Sequence, residues 1–356
     1  MFLGFRDGAG VNRTILVRAD AGPRIGIGHA MRCLALAQAW KELGGAVVFT
    51  FAAMPADLQE RFRAEGFGLA PLGGEPGSAE DARATASLVR RHRATGLVLD
   101  GYAFDGEYLS VLDKGAARLL LIVDAPVRKT PGVDFVLDQN LGAEEGAGSS
   151  IAVARHLSGP RYALLRREFW PWRGWKRPIE ANARRVLVTL GGSDPDNVTA
   201  RVVADLRAMP NSGALETRVV VGPANRNKAS IARELESAPA TWRILESPAD
   251  MPEVIRWADL AISGGGSTCW ELAFLGLPCL TVVLADNQAP IASALARAGV
   301  TRDLGRQDAL FDGRLRRALG DLLEAVKLRE EMSRRGQEIV DGEGAERVAS
   351  LLATAA

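Results

Sequence analysis

One histidine sits where a proton-transfer group would be useful. Gly26-Ile27-Gly28-His29 follows the strand-like run Thr14–Ala19 and opens a helical pattern from Ala30 to Leu43. A strand, a tight glycine turn and a helix start place a ligand at the carboxyl end of a parallel sheet. Most such turns offer only backbone N–H groups. This one adds an imidazole, the side chain best suited to proton transfer near neutral pH. His29 reads as a general base or, more plainly, as a helix cap. Arg32, one turn on, reads as an anion contact or a surface ion pair. A dinucleotide loop is disfavoured, because Met31 stands where a third glycine belongs and the second strand-like run ends Phe49-Thr50-Phe51, without an acid.

A second turn carries the chemistry of phosphate. Gly264-Gly265-Gly266-Ser267-Thr268 follows Leu260-Ala261-Ile262-Ser263 and precedes a helical run from Cys269 to Leu275. Glycines let backbone N–H groups approach phosphate oxygens, and Ser267 or Thr268 can cap the helix or donate to the ligand. Glu271 lies in the first turn, within reach of a ribose diol. No Gly-Lys-Ser/Thr is present, so this is not a P-loop. Gly191-Gly192-Ser193-Asp194 is a further ligand cradle at a strand end. Asp100-Gly101-Tyr102 and Asp286-Asn287-Gln288 also close strand-like runs. Each of these turns has a purely structural reading; their shared edge with His29 favours a site.

The elements that must hold these residues alternate. Strand-like runs at 14–19, 46–51, 96–100, 118–123 and 135–138 are separated by amphipathic stretches. The rhythm restarts at 185–190 and continues at 217–221, 243–245, 259–263 and 279–284, and a charged helical tail follows Gln307. This is the pattern of βαβ units. It predicts an α/β protein of two doubly wound, Rossmann-like domains facing a cleft. The first spans 1–158 and carries the base, 159–182 links, and 183–356 is the second domain with its tail. The linker holds Phe169-Trp170-Pro171-Trp172-Arg173-Gly174-Trp175, read as interdomain packing in preference to a membrane contact.

Composition narrows the partners. The 356 residues are 47% hydrophobic with a net charge of +1, which disfavours general nucleic-acid binding. No apolar run reaches the roughly 18 residues of a spanning helix, and residues 1–14 lack the apolar core of a leader. Three cysteines, Cys33, Cys269 and Cys279, without C-x-x-C spacing, argue against disulfide or zinc frameworks and fit a cytoplasmic setting. No metal cluster and no cofactor are expected. His92, within Arg90-Arg91-His92-Arg93, reads as a solvated face, and His156 has no evident partner.

Taken together, the motifs resemble a known group. Arg18-Ala19-Asp20, Gly26-Ile27-Gly28-His29, Arg32-Cys33-Leu34-Ala35-Leu36-Ala37, Asp100-Gly101-Tyr102, Val136-Leu137-Asp138-Gln139-Asn140, Gly159-Pro160-Arg161-Tyr162-Ala163-Leu164-Leu165-Arg166, Gly191-Gly192-Ser193-Asp194 and Asn287-Gln288 run in order across about residues 15 to 300. They look like the UDP-sugar hydrolases of pseudaminic acid biosynthesis and the related spore-coat polysaccharide proteins. Glu271-Leu272-Ala273 and Gly276-Leu277-Pro278 also resemble the broader GT-B glycosyltransferases. The resemblance implies a GT-B fold and hydrolysis of UDP-2,4-diacetamido-2,4,6-trideoxy-β-L-altropyranose to UDP and free sugar. It implies His29 as base, with Tyr102 and Asn287 beside it. UDP would lie in the second domain at Gly265, Gly266, Ser267, Thr268 and Glu271, and Asp20, Gly26, Gly28, Arg32, Gly191, Gly192, Ser193 and Gln288 would contact substrate. Two departures concern the sugar: Asp124 is followed by Ala125 where the family pairs acids, and Pro126–Asp134 lacks a histidine.

UDP is a good leaving group, so one half of the usual glycosidase carboxylate pair is dispensable. What remains is a base that activates water on the opposite face of the sugar, with inversion. The rival is a GT-B glycosyltransferase in surface-polysaccharide synthesis, where a sugar or lipid hydroxyl replaces water. A third reading is a nucleotide-sugar-binding protein without turnover. A monomer with a small-molecule UDP-sugar partner is expected.

Overall fold

The computed structural model describes residues 13–23, 25–125, 131–143, 154–310 and 312–354. Strands β1 (Thr14–Ala19), β2 (Ala46–Phe51), β3 (Gly68–Pro71), β4 (Gly96–Asp100), β5 (Arg118–Ile122), β6 (Phe135–Asp138) and β7 (Arg155–Ser158) form one parallel sheet in the order β3-β2-β1-β4-β5-β6-β7. Helices α1 (Gly28–Glu42), α2 (Ala56–Ala64), α3 (Ala79–Arg91) and α4 (Gly106–Val111) connect them. β4 is buried throughout and β1 in all but its first residue. That is why they read as near-continuous apolar runs and not as alternating ones.

The second sheet runs β10-β9-β8-β11-β12-β13. Its strands are β8 (Arg185–Thr189), β9 (Glu216–Val221), β10 (Arg243–Glu246), β11 (Leu260–Gly264), β12 (Cys279–Val283) and β13 (Thr301–Arg306). The helices are α5 (Val198–Arg207), α6 (Lys228–Glu236), α7 (Met251–Trp257), α8 (Thr268–Phe274), α9 (Ala289–Arg297), α10 (Arg314–Glu324), α11 (Val326–Ile339) and α12 (Gly344–Thr354). In each sheet the chain winds one way from the first strand and then returns to its other side. The resulting switch points lie between β1 and β4 and between β8 and β11. Crevices for ligands open at such points.

Three strands escape the sequence pattern: β3, β7 and β13. All three are sheet edges, with sequences such as RHLS and TRDLGR. An edge strand is solvated along one side, so it needs no apolar run and tolerates charge.

The tail departs from the expected division. Helix α12 leaves the second domain and packs on α1 of the first. Ala345, Val348, Ala349 and Leu352 enter one core with Ile15, Ala30, Leu34 and Phe49. Gly344 makes the crossing possible, since a Cβ there would lie 2.3 Å from the Ala163 carbonyl oxygen. The Trp-rich segment packs as expected of a linker. Phe169 is buried and Trp172 and Trp175 lean on the second domain's core, with the Arg256 guanidinium 3.6 Å from the Trp172 ring centre. Arg177 donates to the carbonyls of Leu275, Ala258 and Ile255, tying the linker to the ends of α7 and α8.

Candidate functional site

A cavity of about 840 Å³ separates the two domains and is lined from both sides. On the first-domain side the chain leaves β1, and Gly22 and Gly26 exchange backbone hydrogen bonds of 3.0 and 2.7 Å. Gly26 has φ +80°, a conformation that favours glycine. The chain then enters α1, whose second residue is His29. No side chain caps this helix, so His29 is not the cap of the plainer reading.

His29 faces β4 across the switch point. Its Nδ1 lies 2.7 Å from Asp100 Oδ1, and Asp100 is fully buried. Burial alone would raise Asp100. The Arg32 guanidinium, and then His29, outweigh it and hold the carboxyl well below the ordinary carboxylate range. An ionised carboxylate only accepts hydrogen bonds, so Nδ1 carries the proton and donates. Arg32 Nη2 is 3.2 Å from the same nitrogen, a looser contact than the carboxylate. In the neutral ring this leaves Nε2 with its lone pair, as a base requires.

Arg32 lines the cavity and is not a surface residue. It is buried, and its Nε and Nη2 each donate to Asp100 at 2.7 Å while Nη1 and Nη2 donate to Asp124. The guanidinium is thereby committed to two carboxylates and fixes their positions. Asp124 in turn accepts from the Tyr102 hydroxyl at 2.9 Å. Partial desolvation and the Asp124 charge push that hydroxyl well above the usual phenol range, so Tyr102 remains a donor. Its ring meets His29 edge-on with centroids 4.8 Å apart. From the second domain, Asn287 Nδ2 donates to the Tyr102 oxygen at 2.7 Å. His29, Tyr102 and Asn287 are thus brought together across the cleft.

The opposing wall is made by the turns after β8 and β11. Gly26, Gly28, Gly191, Gly192, Ser193, Gly266, Ser267, Thr268, Glu271 and Gln288 line the cavity. The turns of the two domains nearly touch: a Cβ on Gly28 would lie 3.5 Å from Ser267 Oγ, and one on Gly192 would lie 2.4 Å from Ile27 Cγ1. Ser267 occupies the cap position of α8 but makes no capping bond, so neither of the two hydroxyls does the expected capping there. Asp194 caps α5 through Val198 and Thr199 N–H at 2.8 and 2.9 Å, which leaves Ser193 to the cavity. Glu271 pairs with Arg166 at 2.9 Å. Burial pushes its carboxyl up, with Arg166 acting against that.

Two expected contacts are not with the cavity. Asp20 accepts from the N–H groups of Ala52 and Ala53 at 2.7 and 3.1 Å and pairs with buried Arg18 at 2.8 Å. It anchors the loop after β2. Gly265 is absent from the lining. Its N–H points to Val282 O and Gln288 Oε1, at 3.1 and 3.2 Å, because the middle of the turn is stitched to β12 and α9. Gln288 Oε1 also accepts from Leu284 N–H at 3.1 Å, so its amide oxygen braces the turn.

Arg166 and Asn140, which the sequence motifs include without a role, also line the cavity, as does Asp124. Their signal was position: Asp124 and Asn140 each lie two residues past the ends of β5 and β6. Of Pro126–Asp134, residues 126–130 lie outside the described residues. Among the described residues no group of three or more His, Cys, Asp and Glu could hold a metal ion. Nor is any helix long and apolar enough to cross a membrane.

Two doubly wound domains with their switch points facing one cavity define the GT-B architecture, and solved structures bear this out. MurG from Acinetobacter baumannii superposes with a TM-score of 0.66 at 15% identity, covering 96% of this chain and 99% of that one. The spinosyn rhamnosyltransferase SpnG, in complex with thymidine diphosphate, gives 0.62 at 20%, covering 95% and 99%. Residues 185–348 match the glycosyltransferase family 28 C-terminal domain. In sequence the chain is similar to the spore coat polysaccharide biosynthesis protein SpsG of Bacillus subtilis, 29% identical over 56% of this chain and 58% of that protein. It is also similar to the uncharacterised protein MJ1062 of Methanocaldococcus jannaschii, 22% identical over 77% of this chain and 56% of that one. The chain thus matches less than two thirds of the length of either relative.

Proposed function

We propose that this chain is an enzyme of polysaccharide biosynthesis that splits a UDP-sugar at the anomeric carbon and passes the sugar to a hydroxyl acceptor. The observation that carries the reading is the His29–Asp100 pair facing the glycine turn after β11 across one cavity. The match of residues 185–348 to a glycosyltransferase domain supports transfer.

In this reading the UDP diphosphate lies against Gly266, Ser267 and Thr268, and Glu271 meets the ribose. The acceptor hydroxyl gives its proton to His29 Nε2 as its oxygen bonds the anomeric carbon. The bond to the β-phosphate oxygen breaks, and its electron pair leaves with UDP. Asp100 stabilises the imidazolium that forms, as the third member of an acid–base relay does. Backbone N–H groups of the turn stabilise the charge on the departing phosphate. Attack opposite the leaving group inverts the anomeric centre.

Water is the second acceptor, with UDP-2,4-diacetamido-2,4,6-trideoxy-β-L-altropyranose as the substrate that the sequence resemblance implies. It is favoured by the meeting of His29, Tyr102 and Asn287, the three residues onto which that resemblance maps the hydrolase site. Incubation with a UDP-sugar panel alone and with candidate acceptors separates the two. UDP release that requires an acceptor supports transfer, and rapid release without one supports hydrolysis. UDP binding without release from any sugar tested, and unaltered by His29→Ala, would contradict both.

A further inference from the structure

Asn140 is a buried amide on the cavity wall. It follows β6 at the carboxyl edge of the first sheet, is only 7% exposed, and lines the cavity. Among the described residues neither its Oδ1 nor its Nδ2 has a hydrogen-bond partner. Its backbone N–H donates to Asp138 Oδ1 at 3.0 Å, and its side-chain amide lies close enough to that carboxyl to work against the burial that raises it. A buried polar group left unpaired costs stability. Neighbouring Gln139 shows the alternative, since its Oε1 is taken by the Leu164 N–H at 3.0 Å.

The same cavity is lined from the first domain by His29, Tyr102 and Asp124. We infer that Asn140 is a specificity-determining residue that reads an acylamino substituent of the bound sugar. A carboxamide presents one acceptor and two donors. A secondary amide needs just that complement: an acceptor for its N–H and a donor for its carbonyl oxygen. A sugar without the group leaves both Asn140 atoms unpaired in a dry wall, the situation in which sites reject analogues most strongly.

This inference rests on the proposed UDP-sugar reading, and the experiment separates the two. Binding of UDP, UDP-glucose and UDP-N-acetylglucosamine is measured by calorimetry for the wild type, Asn140→Ala and Asn140→Leu. Thermal unfolding of each free protein is recorded as well. The expected result is a preference of roughly tenfold or more for UDP-N-acetylglucosamine over UDP-glucose in the wild type. Both variants lose it with UDP affinity unchanged. Asn140→Leu also unfolds at the same or a higher temperature, because it removes unpaired polar atoms from the free protein. A wild type without the preference, or a preference that survives in the variants, overturns the inference. A marked fall in unfolding temperature for Asn140→Leu also overturns it, by showing a structural role. Failure of the wild type to bind UDP refutes the underlying functional reading instead.

Discussion

His29 Nδ1 and Asp100 Oδ1 are 2.7 Å apart although 71 residues separate them in the chain. Their pairing joins the start of α1 to the end of β4 at the point where the strand order reverses. It fixes the tautomer, so that the neutral ring carries its proton on Nδ1.

Replacing His29 by Ala removes the proposed base and leaves the second domain intact. Turnover is expected to fall by about 10²–10⁴-fold, with UDP affinity nearly unchanged. Asp100→Asn offers Nδ1 a donor in place of an acceptor and favours the wrong tautomer, so turnover should also fall by at least about 10²-fold. Steady-state kinetics beside UDP calorimetry test both variants.

The acid limb of stability follows from Asp100 and Asp124. Burial works to raise both, but Arg32 holds each below its ordinary value. Folded carboxylates with lowered values contribute stability that is complete above the unfolded pKa, about 3.9. That contribution is lost as pH falls through the folded values. The unfolding temperature should therefore be flat from pH 7 to about 5 and drop below about 4. Asp124→Asn should shallow the drop, and a slope equal to that of the wild type would contradict the assignment.

Tyr102 links the two domains by accepting from Asn287 while donating to Asp124. Tyr102→Phe keeps the edge contact with His29 and removes both bonds. Turnover should fall roughly tenfold, about 1.4 kcal/mol, and Asn287→Ala should add little on top of it. A double-mutant cycle measures the coupling. Full additivity would show that the pair does not act as one.

Gly222 illustrates how closely the second wall is built. A Cβ there would sit 2.4 Å from Gly192 Cα and 2.6 Å from its carbonyl oxygen. The obstacle is backbone, so it cannot swing aside. Gly222→Ala is expected to cost about 1–3 kcal/mol and to weaken UDP binding by displacing the Gly191–Ser193 turn. Chemical denaturation and calorimetry report the two effects separately.

Leu352 is near the chain end yet buried in the first domain's core. Leu352→Ala should destabilise the protein by about 2–5 kcal/mol, the range for truncating a buried leucine. Hydrogen exchange should rise in α1, which α12 covers. Exchange rising only in the second domain would contradict the packing.

Much of the scaffold was written locally. The buried strands β1, β4, β8, β11 and β12 are apolar runs because both of their faces are covered. Their turns carry glycine, serine and asparagine, where the backbone must bend or approach a ligand. Those runs and turns were enough to predict two facing α/β domains and most of the cavity lining, His29 included. Edge strands such as β13 left no such trace, since solvent on one side permits charge. Nor did the path of α12, whose apolar stripe is equally suited to either core.

Tertiary structure alone decided how the charges are shared. Asp20 and Asp100 both lie at strand ends, yet one braces a loop while the other orients the histidine. Arg32 lines the cavity, and its sharing between Asp100 and Asp124 is set by elements 68 and 92 residues away. Asn140 belongs to a sequence motif, but only the fold leaves its amide buried and without a partner among the described residues. Local sequence sets backbone conformation and burial pattern, because those depend on neighbours a few residues away. Hydrogen-bond partners 60 to 185 residues distant are chosen by the packing of sheets and domains.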